Sequence, residues 1–354
     1  MRLLQRNLVP LVFFVLCLSG MLSADMAPHY LANEVMERVA RNLFLVLSLI
    51  IPIVTGMGLN FGIVIGAMCG QVGLIVIENA NGRGLGALFL AMLVSVPFSL
   101  LTGYLTGRLL NLAKGREMIC GMILGFFANG IYQFVFLLMA GPVLPLRHPG
   151  ILLSGGVGLR NSIDLVGTRG QLDHLIRPFV PFFSGRVAIP IATLVFISLL
   201  CFAIRWYLRT KSGQDLRAVG QDRRVAEIAG IGVDRARIRA MMISTALGAI
   251  GHILFLSNLG NMSTYQSHEQ VGPYAIAALL VGGATVAHAT IWHAIAGTLL
   301  FHTLFVVAPI AGQALFGDAQ VGEYLREFVG YAVIGVTLAL NAWQTSRKRR
   351  GAAV

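Results

Sequence analysis

Long runs without any charged residue dominate this chain and predict membrane-spanning helices. No Asp, Glu, Lys or Arg occurs from Asn42 to Ile77, from Gln270 to Gly317, or from Phe328 to Ser346. A spanning helix needs about 20 apolar residues. The first run would be about 54 Å long as a single helix, at about 1.5 Å per residue. The chain must therefore turn within that run, and by the same reasoning within the second.

The polar and small residues inside the runs indicate where the turns fall. We place one turn at GMGLN, Gly56 to Asn60, because two glycines weaken the helix and an asparagine can pair the freed backbone groups. A second turn is predicted near His288–His293. With the other apolar segments this gives ten spans and an all-α polytopic fold, a single transmembrane domain over residues 1–354. The other spans are predicted at Leu8–Ala24, Leu85–Gly107, Met118–Ala140, Val187–Ile204, Met241–Asn258 and Phe328–Trp343.

Composition agrees with a membrane protein and changes how the charge is interpreted. The 354 residues are 56% hydrophobic and 12% charged, with a net charge of +12, whereas soluble domains have about 25% charged residues. The basic residues border apolar runs, which is typical of the cytoplasmic side of membrane proteins rather than of nucleic-acid binding. The four cysteines lie within apolar segments, which favours packing over disulfides or metal ligation.

The distribution of basic residues predicts an orientation. Nine Lys or Arg residues occur from Arg205 to Arg239, and RKRR follows the last apolar run. An even number of spans then places both termini and the loop of residues 205–240 in the cytoplasm, and the long connection of residues 142–186 outside. The N-terminal segment has features of a cleavable signal peptide, but its apolar core is long, which favours a retained first helix.

The chain lacks the motifs of several function classes. No charged residue lies well inside a predicted span, which argues against ion-coupled transport. None of the three lysines stands in the Gly-Lys-Ser/Thr sequence of a phosphate-binding loop. No hydrolase or metalloprotease motif is present, and the spacing of His288, His293 and His302 favours polar packing over a metal site. We therefore expect no catalytic residues and no bound metal or cofactor.

One charged stretch, Ala218 to Ala240, stands out from its apolar surroundings. Asp222 can cap a helix, Val225 and Ile228 recur at helical spacing, and Gly230 can end it. The residues alone fit either a solvated loop helix or a docking surface for another protein.

This stretch and the later segment AIAALLVGGATVAHATIWHAIAGTLLF resemble permease subunits of bacterial ABC importers of the ribose, simple-sugar and branched-chain amino-acid type. The resemblance covers roughly Asn42 to Trp343. The family pattern A-x-G-x-[DN]-x-x-x-A-x-x-x-G-I begins at Ala218. It implies a coupling helix that seats on a separate ATPase subunit. The residues assigned to that contact are Gly220, Asp222, Arg223, Arg224, Ala226, Glu227, Gly230 and Ile231.

The resemblance further implies an inner-membrane permease that works with a second permease subunit, ATPase subunits that bind ATP and Mg, and an extracytoplasmic solute-binding protein. The expected solute is a simple sugar; a nucleoside or another small polar solute, or ion-coupled transport, are the alternatives. Uncharged polar residues are expected along the solute pathway. The pathway candidates are Asn60, Gln71, Asn129, Tyr132, Gln133, Ser257, Asn258 and Trp292, and the candidate binding-protein contacts are Arg160, Arg169 and Arg177.

Overall fold

Helices form most of the protein. The computed structural model describes residues 8–24, 26–146, 148–183 and 185–351. In chain order its elements are α1 (Leu8–Ser23), α2 (Pro28–Ser48), α3 (Ile50–Val54), α4 (Ile63–Asn79), α5 (Gly84–Leu112), α6 (Glu117–Phe134), a π-helix (Val135–Met139), β1 (Ser162–Asp164), β2 (Phe179–Phe182), β3 (Gly185–Ala188), α7 (Ile191–Tyr207), α8 (Lys211–Gln221), α9 (Arg223–Ile228), α10 (Val233–Leu259), β4 (Asn261–Ser263), α11 (Val271–Val281), α12 (Ile291–Phe316) and α13 (Ala319–Gly351).

Several of these helices are long and apolar enough to cross a membrane. Within the described residues they are α5, α6 with its π-helical continuation, α10 and α12. A fifth is α7 if it is taken together with α8, from which it is bent by 74°. The chain is therefore a mainly helical, polytopic membrane protein, and the full count of ten spans stays a prediction.

The two predicted turns are found in the structure, and the second begins earlier than predicted. Between α3 and α4 the chain leaves the helix, and Gly56 and Gly58 adopt φ of 73° and 75°, which confirms the first turn. The second break spans residues 282–290, so it overlaps the predicted turn at His288–His293 but begins earlier. Gly282 packs against the carbonyl oxygen of His293 there, a contact that a larger residue would block.

The early break leaves α11 short. Its 11 residues make a helix about 16 Å long, about half the thickness of the hydrocarbon core. The run from Gln270 to Gly317 therefore contains one full-length helix and one short apolar helix, and not two helices of full length.

The chain divides into two compact units, which we describe separately. Unit 1 comprises residues 1–50, 178–189 and 273–354, and unit 2 comprises residues 51–177 and 190–272. In unit 1, α12 packs against α1, α2 and α13. Gly322 of α13 lies against the carbonyl oxygen of Ala308 in α12, so small residues bring these two helices together.

Glycine-spaced helix faces determine the core of unit 2, as their sequence predicts. Gly66 and Gly70 of α4 face the backbone of α10 at Thr245 and Ala249. Gly73, on another side of α4, faces the backbone of α5. Helix α4 is therefore enclosed on several sides, and its polar residue Gln71 is fully buried.

The long connection of residues 142–186 is non-helical. Its described part contains turns and short strands and no helix. Strand β1 pairs antiparallel with β4, and β2 pairs antiparallel with β3. Strand pairing over such sequence distances cannot be inferred from helical periodicity.

Candidate functional site

The charged stretch folds as predicted into a capped helix. Asp222 accepts hydrogen bonds at Oδ1 from the backbone N–H groups of Arg224 and Val225, at 2.8 and 3.1 Å. This is N-cap chemistry at the start of α9. The chain leaves the helix at Gly230, which has φ of 79°, so both predicted ends of the helix are confirmed.

The outer side of α9 carries apolar side chains among charges. Val225 is 62% exposed and Ile228 is 88% exposed, and the charged Arg224 and Glu227 are also exposed. Ala226 is buried on the inner side. Apolar residues rimmed by charges are the composition of a protein interface, so α9 presents a surface that suits a partner.

A buried carboxylate supports α9 from behind. Glu117, at the start of α6, accepts hydrogen bonds at one carboxylate oxygen, Oε1, from Arg223 at 2.8 Å and from Arg237 of α10 at 2.7 Å. Arg237 is fully buried and the Glu117 side chain is 9% exposed. The cluster of Glu117, Arg223 and Arg237, which we call the carboxylate clamp, thus ties three segments of unit 2 together.

The same segments contact the break between α3 and α4. Arg223 donates a second hydrogen bond to the carbonyl oxygen of Gly56, at 3.0 Å. Gly220 lies against the carbonyl oxygen of Val54 and the backbone of Gly56, and Ile231 packs against the adjoining core. A displacement of α9 would therefore act directly on the chain that leads into α4.

Sequence reasoning missed Glu117 and Arg237. Glu117 is the one acidic residue between Glu78 and Asp164, and this isolation was a usable signal. Arg237 was interpreted only as one of the nine basic residues from Arg205 to Arg239 that predict a cytoplasmic loop. Its partner is 120 positions away, and no local pattern connects the two.

Four of the predicted pathway residues meet around one histidine, His268. Its ring nitrogens lie 2.8 Å from Gln71 Oε1 and 2.9 Å from Asn129 Oδ1. Gln133 donates to Asn129 at 3.3 Å, and the Tyr132 ring lies edge-on to the imidazole, with centroids 5.2 Å apart. We call these five residues the polar cluster; His268 itself was not predicted.

The protonation of His268 follows from its surroundings. Burial lowers the pKa of His268 to about 4, so at neutral pH the ring donates at one nitrogen and accepts at the other. Asn129 is held in orientation because it donates to Glu269, at 3.2 Å, and accepts from Gln133. Both ring nitrogens of His268 face side-chain oxygens, Gln71 Oε1 and Asn129 Oδ1, and the neutral ring donates to one of the two. Gln71 donates from Nε2 to the carbonyl oxygen of Ser263 at 3.4 Å.

One polar group of the cluster has no partner in the described part of the chain. The hydroxyl of Tyr132 is buried and makes no hydrogen bond there. Buried hydroxyls are nearly always paired. The cluster thus retains hydrogen-bonding capacity for a further group.

The remaining pathway candidates lie elsewhere. Asn60 donates to Ser244 at 3.1 Å, and Asn258 donates to Asp173 at 2.8 Å. Ser257 donates to the carbonyl oxygen of Thr168. These bonds connect elements within unit 2, and a pathway role for the three residues stays a prediction. Trp292 belongs to unit 1 and is 75% exposed.

Of the three arginines proposed for an outer contact, all in unit 2, Arg160 and Arg169 are exposed and Arg177 is half-buried. The Nε of Arg160 donates to the carbonyl oxygen of Leu152 at 3.0 Å, Arg169 lies along Gly260, and Arg177 contacts His174. Arg160 also lines a cavity of about 330 Å³ with Arg83 and Asp164. No group of three metal-ligating side chains occurs among the residues that the structure describes.

Comparison with known proteins gives a family and several partial relatives. The family model "Branched-chain amino acid transport system / permease component" matches residues 34–338. The chain is similar to the Autoinducer 2 import system permease protein LsrC of Enterobacter sp. (strain 638), to which it is 33% identical over 40% of this chain and 42% of that protein. It is also 33% identical to the protein of the same name from Klebsiella pneumoniae, over 45% of each chain. The protein of the same name from Salmonella paratyphi B is 27% identical over 59% of this chain and 55% of its own length.

These matches are partial. The chain spans about half the length of the curated relatives it matches, and no solved structure matches it significantly. The family model, however, covers most of the chain and includes the carboxylate clamp, α9 and the polar cluster. The chain therefore belongs to the family of permease components of branched-chain amino acid transport systems.

Proposed function

We propose that the chain is the translocation subunit of an ATP-driven importer and that α9 is its contact with a separate ATPase. The observation that carries this proposal is a capped helix whose apolar residues face outward while the carboxylate clamp holds it from behind. Such a helix transmits a push from a partner to the break before α4 through Arg223 and Gly220. The absence of a phosphate-binding loop from the sequence supports a separate protein as the ATP and Mg site.

The remaining parts of the assembly are proposed on the family resemblance. They are a second permease subunit, an extracytoplasmic binding protein whose acidic groups contact Arg160, Arg169 and Arg177, and an inner-membrane location with both termini in the cytoplasm. Opposite charges across such a contact accelerate encounter and select partners. The chain itself carries out no chemical reaction in this scheme.

The polar cluster is our candidate for the point where the solute contacts the permease. It extends from half-buried Asn129 and Gln133, next to the exposed Glu269, to fully buried Gln71 and His268. Groups of this kind are costly against lipid hydrocarbon. The open end of the cluster therefore faces water or another polypeptide, as a pathway residue must.

The chemistry of the cluster suits a polyhydroxylated solute such as a simple sugar. Its amides, imidazole and Tyr132 hydroxyl offer both donors and acceptors without a buried net charge. A sugar hydroxyl can donate and accept at once, and the unpaired Tyr132 hydroxyl supplies a place for it.

Replacing Asn129 by leucine should reduce uptake about fivefold or more, because leaving the buried His268 without this partner costs about 1–3 kcal/mol. Binding-protein-stimulated ATP hydrolysis should stay close to wild type, since α9 is untouched. The measurement is uptake of a radiolabelled pentose or hexose imported by the wild type, in proteoliposomes with ATP inside. Asn111→Leu, which removes an amide outside the cluster, is the matched control; equal uptake by both variants would refute the assignment.

The proposed function itself is tested with the same proteoliposomes. Uptake should require ATP and the ATPase that copurifies with the chain, and should persist when ionophores dissipate ion gradients. Uptake that continues without any ATPase and stops with the ionophores would establish the ion-coupled alternative.

A further inference from the structure

A small hairpin in unit 1 exposes an unusual amount of apolar surface. Strand β2 pairs with β3 in the register Phe179 with Ala188 and Phe182 with Gly185. Phe179 is 65% exposed, Phe182 41% and the following Phe183 80%. We call residues 179–183 the aromatic tip.

Both faces of the outer strand are apolar. Successive residues of a strand point to opposite faces, so Phe179 lies on one face of β2 and Val180 and Phe182 lie on the other. All four residues of β2 are exposed. A hairpin in water normally covers one apolar face and presents polar side chains on the other, so water is a poor environment for this one.

The hairpin is held firmly at its base. Asn33 of α2 donates to the carbonyl oxygen of Arg186 at 2.9 Å and accepts from the N–H of Ala188 at 2.8 Å. The ring of His29 lies against Gly185. These contacts use the free edge of β3, so helix α2 fixes the hairpin and leaves β2 facing outward.

The position of the hairpin in the sequence, next to a candidate membrane span, indicates that lipid contacts its exposed residues. Only two residues, Ile189 and Pro190, separate Ala188 from Ile191, where α7 begins, and these three residue steps reach at most about 10 Å. The helix α7 belongs to a candidate membrane span with α8. The chain of the hairpin thus runs directly into a candidate span, and aromatic residues concentrate beside the ends of spans in membrane proteins.

The charge of this segment also fits a lipid surface. Between His174 and Ile191 the charged residues are Arg177 and Arg186, and no Asp or Glu occurs. Basic residues beside an apolar segment are attracted to anionic lipid headgroups.

We propose that the aromatic tip inserts into the headgroup region of the bilayer, with Arg186 beside anionic phosphates, and anchors unit 1 at the membrane surface. The alternative is that a binding protein or a second copy of the chain contacts the tip, in which case protein and not lipid covers it. The proposal does not depend on the solute or on the ATPase.

The test places a single tryptophan at the tip. Trp206, Trp292 and Trp343 are replaced by phenylalanine, and Phe183→Trp is introduced in the full chain reconstituted in phosphatidylglycerol vesicles. Val166→Trp is the matched control, because Val166 is 75% exposed on the long connection. We expect chain-brominated lipid to quench Phe183→Trp at least about threefold more than the control, and aqueous iodide to quench it less, as for an interfacial aromatic residue.

Quenching by iodide equal to the control, with no effect of brominated lipid, would overturn the proposal. Protection from both quenchers would also overturn it, because it would place protein over the tip. Phe182→Trp repeats the measurement at a second position in case Phe183→Trp does not fold. Exchanging phosphatidylglycerol for phosphatidylcholine, or Arg186→Gln, should reduce quenching by brominated lipid; no change in either arm would contradict the headgroup contact.

Discussion

Replacing Glu117 by leucine is expected to lower the free energy of unfolding by about 3–5 kcal/mol, the usual cost of removing one member of a buried ion pair. Arg237 is fully buried and would be left as an uncompensated charge, and Arg223 would lose its contact with α6. The measurement is thermal unfolding in detergent, followed by size-exclusion chromatography after heating. Because the carboxylate clamp supports α9, the surviving folded protein should also show weak coupling to the ATPase.

Two further variants test whether the loss of stability in Glu117→Leu comes from the unpaired buried charge of Arg237 or from the change of side-chain shape. Asp234→Asn breaks an ion pair with Lys114 whose side chains are 59% and 47% exposed, and exposed pairs contribute at most about 1 kcal/mol. Adding Arg237→Met to Glu117→Leu removes the unpaired charge and should restore much of the stability. A double variant as unstable as Glu117→Leu alone would mean that shape, and not charge, explains the loss.

Replacing Ile228 by aspartate is expected to weaken binding of the ATPase about 30-fold or more, as for an interface hot spot worth at least 2 kcal/mol. Ile228 is the most exposed apolar residue of α9, so the substitution leaves the fold unchanged and acts only where a partner covers it. The measurement is the affinity of the purified ATPase for the detergent-solubilised permease. Leu175→Asp, at another exposed apolar position, is the control, and equal affinities for the two variants would exclude α9 as the docking surface.

The parts of the structure that the sequence predicted are those that depend on local chemistry. Asp222 caps α9 and Gly230 ends it because capping and positive φ are properties of single residues and their neighbours. The turn at Gly56 and the glycine faces of α4 are local in the same way. Four of the eight pathway candidates meet in the polar cluster because uncharged polar residues inside apolar runs have few places to pair.

The parts that the sequence did not predict depend on approach between distant segments. Glu117 and Arg237 form a pair only because α6 and α10 meet, and the pairing of β1 with β4 joins segments almost 100 positions apart. The second turn was placed at polar residues, His288 to His293, whereas the chain breaks from Gly282, where the α11 end and the α12 start come into backbone contact. Polarity was a weaker indicator of the turn than glycine.

The most direct test of the account is ATP hydrolysis by the reconstituted complex, with and without the binding protein. The wild type is compared with the double charge reversal Arg224→Glu plus Glu227→Lys, whose side chains are exposed on α9 and outside the carboxylate clamp. If α9 couples the ATPase to transport, the binding protein stimulates hydrolysis in the wild type, and the reversal abolishes this stimulation while the permease stays folded. Stimulation of equal size in both would contradict α9 as the element that couples the ATPase to transport.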